Sequence, residues 1–148
     1  MPKENLLPIG KVAEKLNTTT RTVRYYEELG LITPFKKTPS SQRLYTAQDV
    51  EKIIRIKELH NLMGFKLSEI KTLLEIEDRL SRLKENYRLT SSTEKQLNLI
   101  KEALDLYNQL IAQVDSRITQ IQQFKSELQK KKQLLLKKLK SFETLAKI

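Results

Sequence analysis

The sequence predicts an all-α fold with one small β-hairpin, ending in a single long coiled-coil helix. Three observations predict it. Apolar residues recur at helical spacing through most of the 148 residues. All three glycines and four prolines fall within the first 64 residues, so the remainder has no helix breaker. From Leu97 onward the apolar period becomes a sustained heptad.

The elements follow in order. Ile9, Val12, Ala13 and Leu16 lie on one helical face and predict a first helix of about two turns. Asn17 and Thr18 break it, and Thr18, Thr19 and Thr20 are all candidate N-caps for a second helix reaching Leu29. Its inward stripe is Val23, Tyr26 and Leu29, and Gly30 stands where a left-handed residue ends such a helix. Leu31 to Tyr45 has no helical period and is interrupted by Pro34 and Pro39. Leu31-Ile32 and Arg43-Leu44-Tyr45 are the expected strands of a hairpin wing around a basic loop with Lys36 and Lys37.

Thr46-Ala-Gln-Asp49 resembles a capping box and opens a third helix with an apolar face of Val50, Ile53, Ile54, Leu59 and Leu62. Met63-Gly64 ends it. A fourth helix carries Leu67, Ile70, Leu73 and Leu74 and extends toward Leu80 and Leu83, and the polar stretch Arg88 to Thr93 is the expected joint. Beyond it, the a positions are Leu97, Leu104, Ile111, Ile118, Lys125, Lys132, Leu139 and Ala146. The d positions are Ile100, Tyr107, Val114, Ile121, Leu128, Leu135 and Phe142. Thirteen of these fifteen are apolar, which predicts a coiled coil rather than a lone surface helix. At about 1.5 Å per residue such a helix runs roughly 75 Å, too long to cover its stripe against a small head. A second copy of the chain is the simplest cover, with Leu97, Ile100, Leu104, Tyr107, Ile111, Val114, Ile118 and Ile121 as the dimerisation set. Lys125 and Lys132 interrupt the seam, either fixing its register or marking its end.

Composition narrows the function. The net charge of +10 favours an anionic partner, nucleic acid or an acidic membrane surface. With no cysteine and only His60, thiolate metal sites, disulfides, a cysteine nucleophile and a two-histidine zinc site are excluded. No catalytic constellation, phosphate-cradling glycine loop or cofactor motif is legible, so the chain is not expected to be an enzyme. There is no signal-peptide-like segment and no long apolar run, so a soluble, cytoplasmic protein without a membrane partner is expected. Arg21, Arg24 and Tyr25 on the second helix, followed by a basic hairpin, form a surface able to grip a DNA duplex, with Tyr26 read as core.

The residues IGKVAEKL, TTRTVRYYEELGLI, RLY, TAQDV and MGFKLSEIKTLL, in this order and spacing, resemble the DNA-binding domain of MerR-type bacterial transcription regulators. The resemblance covers about half the chain. It implies a winged helix-turn-helix head and a long helix that pairs antiparallel with its partner. It further implies a dimer that binds a palindromic or pseudo-palindromic promoter site and distorts the spacer so that RNA polymerase can engage. Ser41-Gln42 stand where the family often has Gly-Tyr. The cysteines of the metal-sensing branches are missing, and the coiled-coil tail is not expected to leave room for a C-terminal drug-binding domain. The expected organisation is a head over 1–76, a helical extension over 77–93 and a dimerisation helix over 94–148.

On this reading Thr19, Thr20 and Arg21 approach base edges, since arginine binds guanine bidentately and a threonine methyl meets that of thymine. Arg24 and Tyr25 suit phosphate or sugar contacts. Lys36, Lys37, Arg43 and Tyr45 form the wing set, and Lys66, near the start of the fourth helix, is placed where a phosphate meets free N–H groups. The rival readings are an architectural, excisionase-like DNA binder that does not act on transcription, and a coiled-coil adaptor whose head binds protein. No cofactor is expected, and the sequence names no small-molecule effector.

Overall fold

The computed structural model describes residues 5–34, 36–37 and 42–147. The chain divides into two compact units, Met1–Asn86 and Tyr87–Ile148. The first contains β1 (Leu7–Pro8), α1 (Ile9–Lys15), α2 (Thr20–Glu28), β2 (Lys36–Lys37), β3 (Arg43–Tyr45), α3 (Ala47–Lys57), a π-helical turn (Glu58–Leu62) and most of α4 (Leu67–Leu89). The second is dominated by α5 (Thr93–Ala146), 54 residues long.

Two short helices meet through a tight left-handed turn. Asn17 has φ of 52°, and the N–H groups of Asn17 and Thr18 return to the carbonyls of Glu14 and Ala13. This is a Schellman end, with asparagine in the position glycine more often holds. Thr19 then caps α2, its hydroxyl accepting the Thr22 N–H at 3.1 Å. α2 ends in the same way at Gly30, whose φ is 74°. The Gly30 and Leu31 N–H groups reach the carbonyls of Glu27 and Tyr26, and both Leu31 and Tyr26 are buried. A Cβ at such a φ is strained, so the sequence supplies glycine where the chain must reverse.

The wing differs from the expected hairpin. Leu31 and Ile32 are not a strand; both are buried directly after the Gly30 turn, side by side rather than alternating. The outer strand is Lys36–Lys37 itself, antiparallel to β3 with Lys37 opposite Arg43. On its other edge β3 pairs with Leu7–Pro8, which the sequence reading passed over. A two-residue strand has no readable alternation, and only its distant partner defines it. Residues 38–41, with Ser41 of the Ser-Gln pair, lie outside the described residues.

α3 opens on the expected capping box: the Asp49 N–H donates to the Thr46 hydroxyl at 3.2 Å, and the Thr46 N–H donates to the Asp49 carboxylate at 2.9 Å. Its buried face is Val50, Ile53 and Ile56, continued by Leu59 in the π turn. Ile54 and Leu62, expected inside, are exposed. The wider π turn falls behind the α-helical period and carries Leu62 round to the surface. Lys57 donates to the carbonyl of Leu16 at 2.8 Å, capping the end of α1 from a distance. Arg55 donates to Glu77 at 2.9 Å and Lys52 to Asp78 at 3.0 Å, so α3 is clamped along α4 outside the apolar contact. Val12, Val23, Ile53, Ile56 and Ile70 are fully buried and form the centre of the head. α4 runs unbroken past Leu83, and the chain breaks at Thr90–Ser92, within the expected joint, before Ser92 caps α5.

Candidate nucleic-acid interface

α2 is amphipathic in a way that divides its work. Val23 and Tyr26 are buried and anchor its inner side. Arg21, Arg24, Tyr25 and Glu28, at the spacing of one helical face, are exposed on the other. With Thr20 and Thr22 they line one open concavity of the head. Two guanidinium groups, a phenol and a carboxylate thus project from a rigid rod whose orientation is set by its buried side. Arginine donates to guanine or phosphate, tyrosine to phosphate, and a carboxylate accepts from the amino group of cytosine. Glu28 escaped the sequence reading because that reading followed only cations and hydroxyls.

Thr20, Arg21, Arg24 and Tyr25 all fall on or beside this surface. Thr19 is exposed beside it, but its hydroxyl is engaged in capping α2 and lies 2.9 Å from the Thr22 hydroxyl. Lys36 and Lys37 occur on β2; their side chains lie outside the described residues. Lys66 is exposed, but its N–H donates to the Glu69 carboxylate at 2.9 Å. The expectation of a free N–H for phosphate at that residue is therefore corrected: the helix start has supplied its own anion.

Tyr45 requires the largest correction. Expected to contact nucleic acid, it is fully buried. Its hydroxyl donates to Glu27 Oε2 at 3.2 Å. Arg43 Nε lies astride the same carboxylate, donating to Oε1 at 2.9 Å and standing 2.8 Å from Oε2. Glu27 sits on α2 between the buried and exposed sides, with 17% of its side chain accessible, and fastens the helix to the wing strand. The hydrogen bond and charge of Glu27 raise the Arg43 pKa further above its already high value. Arg43 keeps about a third of its side chain exposed (32%), so one residue braces the wing and still presents guanidinium to solvent.

Burial, reinforced by the Glu27 charge, pushes the Tyr45 phenol up from 10.0 to about 12. Between those pH values the unfolded chain loses this proton while the folded chain keeps it, so stability falls as pH rises. Denaturant titrations across this range should show a decline that Tyr45→Phe makes shallower; an unchanged slope would place the phenol in a different environment.

Among the described residues, no helix is long and apolar enough to cross a membrane, and no cluster of three or more His, Asp or Glu is arranged to hold a metal ion. His60, the single histidine, hydrogen-bonds through Nδ1 to the carbonyl oxygen of Phe65 at 2.8 Å and braces the turn before α4.

A family model described as the MerR HTH family regulatory protein matches residues 7–76, the span from β1 into α4. The regulator YfmP of Bacillus subtilis, an HTH-type transcriptional regulator, is 32% identical over 123 residues, covering 83% of this chain and 88% of its own. The chain belongs to the MerR family. It is a DNA-binding transcription regulator. The mercuric resistance operon regulatory protein of Bacillus cereus is 42% identical over 71 residues, 48% of this MerR-family chain and 53% of the relative. A solved MerR-family regulator lacking a sensor domain, bound to promoter DNA, is 21% identical and covers 76% of this chain and 78% of its own, with a TM-score of 0.44.

Proposed function

We infer that this MerR-family regulator binds a palindromic or pseudo-palindromic promoter site as a homodimer and distorts the spacer between promoter elements. The observation that carries the reading is the exposed Arg21–Arg24–Tyr25 row on a helix whose opposite side is locked into the core. Residues 1–76 form the reading head, 77–93 extend it, and 94–148 are the helix through which the two copies pair. Thr20 and Arg21, near the start of α2, face base edges in the major groove, with the Thr19 methyl beside them. Arg24 and Tyr25 hold the phosphate backbone, while Lys36, Lys37, Arg43 and Lys66 add charge from the wing and from the start of α4. Tyr45 acts from inside, by holding Glu27 and so the wing.

Two heads related by a two-fold axis read two half-sites, ideally a multiple of about 34 Å apart. Bending or untwisting the spacer costs on the order of 1–6 kcal/mol and depends on its sequence, which allows control at bases the protein never touches. RNA polymerase is then reached through the promoter DNA. The protein works by binding rather than catalysis, without a cofactor, in the cytoplasm.

Arg24→Ala is expected to weaken binding to specific and unrelated duplexes alike, about tenfold at low salt, and to reduce the slope of log affinity against log salt by about two, one phosphate contact from each head. Fluorescence anisotropy over a salt series measures both. An unchanged slope would remove Arg24 from the phosphate backbone.

A further inference from the structure

Among the described residues the apolar seam of α5 is left open: Leu97, Ile100, Leu104, Tyr107, Ile111, Val114, Ile118 and Ile121 are each 44–59% exposed. We propose that a second copy covers this seam only from Leu97 to Ile121, antiparallel, in the register that sets Leu97 against the partner's Ile121 and Lys101 beside the partner's Asp115. The proposal rests on the dimer inferred above and adds where the pairing lies and where it stops.

In an antiparallel pair, a positions of one helix meet d positions of the other, so the possible registers differ by whole heptads. In this one Leu104 meets the partner's Val114 and Ile111 meets the partner's Tyr107. Every seam contact is apolar. Two independent limits coincide at its end. Lys125, the first charged a position, falls opposite the partner's Thr93, the residue at which α5 begins. The lysine thus arrives where the opposing helix runs out, and its ammonium stays in water rather than in the seam. Along the exposed e edge, Lys101 and Asp115 form an opposite-charge pair twice per dimer, and Asn108 lies across from its own copy.

The alternatives each lose something. Sliding by one heptad, so that Leu97 meets the partner's Leu128, puts Lys125 against the partner's Ile100 and leaves Lys101 beside the partner's Gln122. A second heptad sets Asp115 against Asp115 and Arg117 against Arg117. Sliding the other way brings Glu94 beside the partner's Asp115. An in-register parallel coil places Lys125 on Lys125 and Lys132 on Lys132, and sets Lys101 beside the partner's Gln96 and Asp115 beside the partner's Leu110, neither an opposite charge. The proposed register therefore leaves Lys125–Lys147, with eight lysines and two glutamates, outside the paired seam.

The test reverses the edge charges and reads the dimer dissociation constant at low salt. Lys101→Asp alone and Asp115→Lys alone are each expected to raise it about tenfold, and the two together to restore it to within about twofold of the parent. A second readout uses the absence of cysteine from the chain. With a short bismaleimide, Asn108→Cys is expected to give a covalent dimer and Gln122→Cys none, whereas a parallel coil sets each e position beside the partner's g and links neither. A dimer that shows no rescue, or that links through Gln122→Cys, overturns the register and leaves self-pairing intact. A chain that remains monomeric at all concentrations overturns self-pairing as well.

Discussion

For the homodimer proposed above, Leu104→Glu combined with Ile111→Glu is expected to leave the protein monomeric at concentrations where the parent pairs. Each of these side chains is more than half exposed in the single chain, at 59% and 54%, so the substitutions remove nothing from the chain's own core. In the dimer they place four carboxylates where four apolar side chains would be covered. Losing the burial alone removes roughly 6 kcal/mol or more, taking about 1.5 kcal/mol for each side chain, and desolvating the carboxylates adds to it. That corresponds to at least about a 10⁴-fold weaker dimer. Sedimentation measures this directly. DNA binding distinguishes the cause: a two-half-site duplex should lose most of its affinity, while a single half-site should bind about as weakly as it does to the parent head. A double variant that still sediments as a dimer would place the interface elsewhere.

Glu27→Ala is expected to destabilise the head and loosen the wing together. Tyr45 is buried and its hydroxyl donates to this carboxylate, so the alanine variant leaves a buried donor without its acceptor, costing about 1–3 kcal/mol. The Arg43 guanidinium loses the partner at its Nε and is no longer held against α2. Glu27→Gln should fall between parent and alanine, because the amide oxygen still accepts from Tyr45 while the charge facing Arg43 is gone. Urea unfolding measures the stability of all three. Tyr45→Phe combined with Glu27→Ala should cost less than the two single effects together, since the phenylalanine removes the stranded hydroxyl. Additive effects would mean that the two residues do not act as a unit.

The residues that make this hub explain what was legible and what was not. Arg43 and Tyr45 were both readable as members of a basic, aromatic wing, but Glu27 lay in the sequence as one acidic residue of a helix. No spacing rule connects positions 27, 43 and 45, because the contact exists only once β3 lies beside α2. The same holds for Leu7–Pro8, a strand made by its partner, and for the π turn at Glu58–Leu62, which moves Leu62 out of the core. Lys66 was legible as a cation at a helix start; that Glu69 occupies its N–H was not.

The helices, their caps at Thr19, Gly30 and Thr46, and the long heptad stripe of α5 follow from local chemistry: backbone hydrogen bonds, left-handed φ values and a repeat that places apolar residues on one face. Those terms act between residues a few positions apart, so the order of residues alone determines them. Which cations face outward, which tyrosine is buried and which carboxylate joins helix to wing depend on contacts between distant segments. Their energies are decided by burial and by geometry in three dimensions, and only the tertiary structure could assign them.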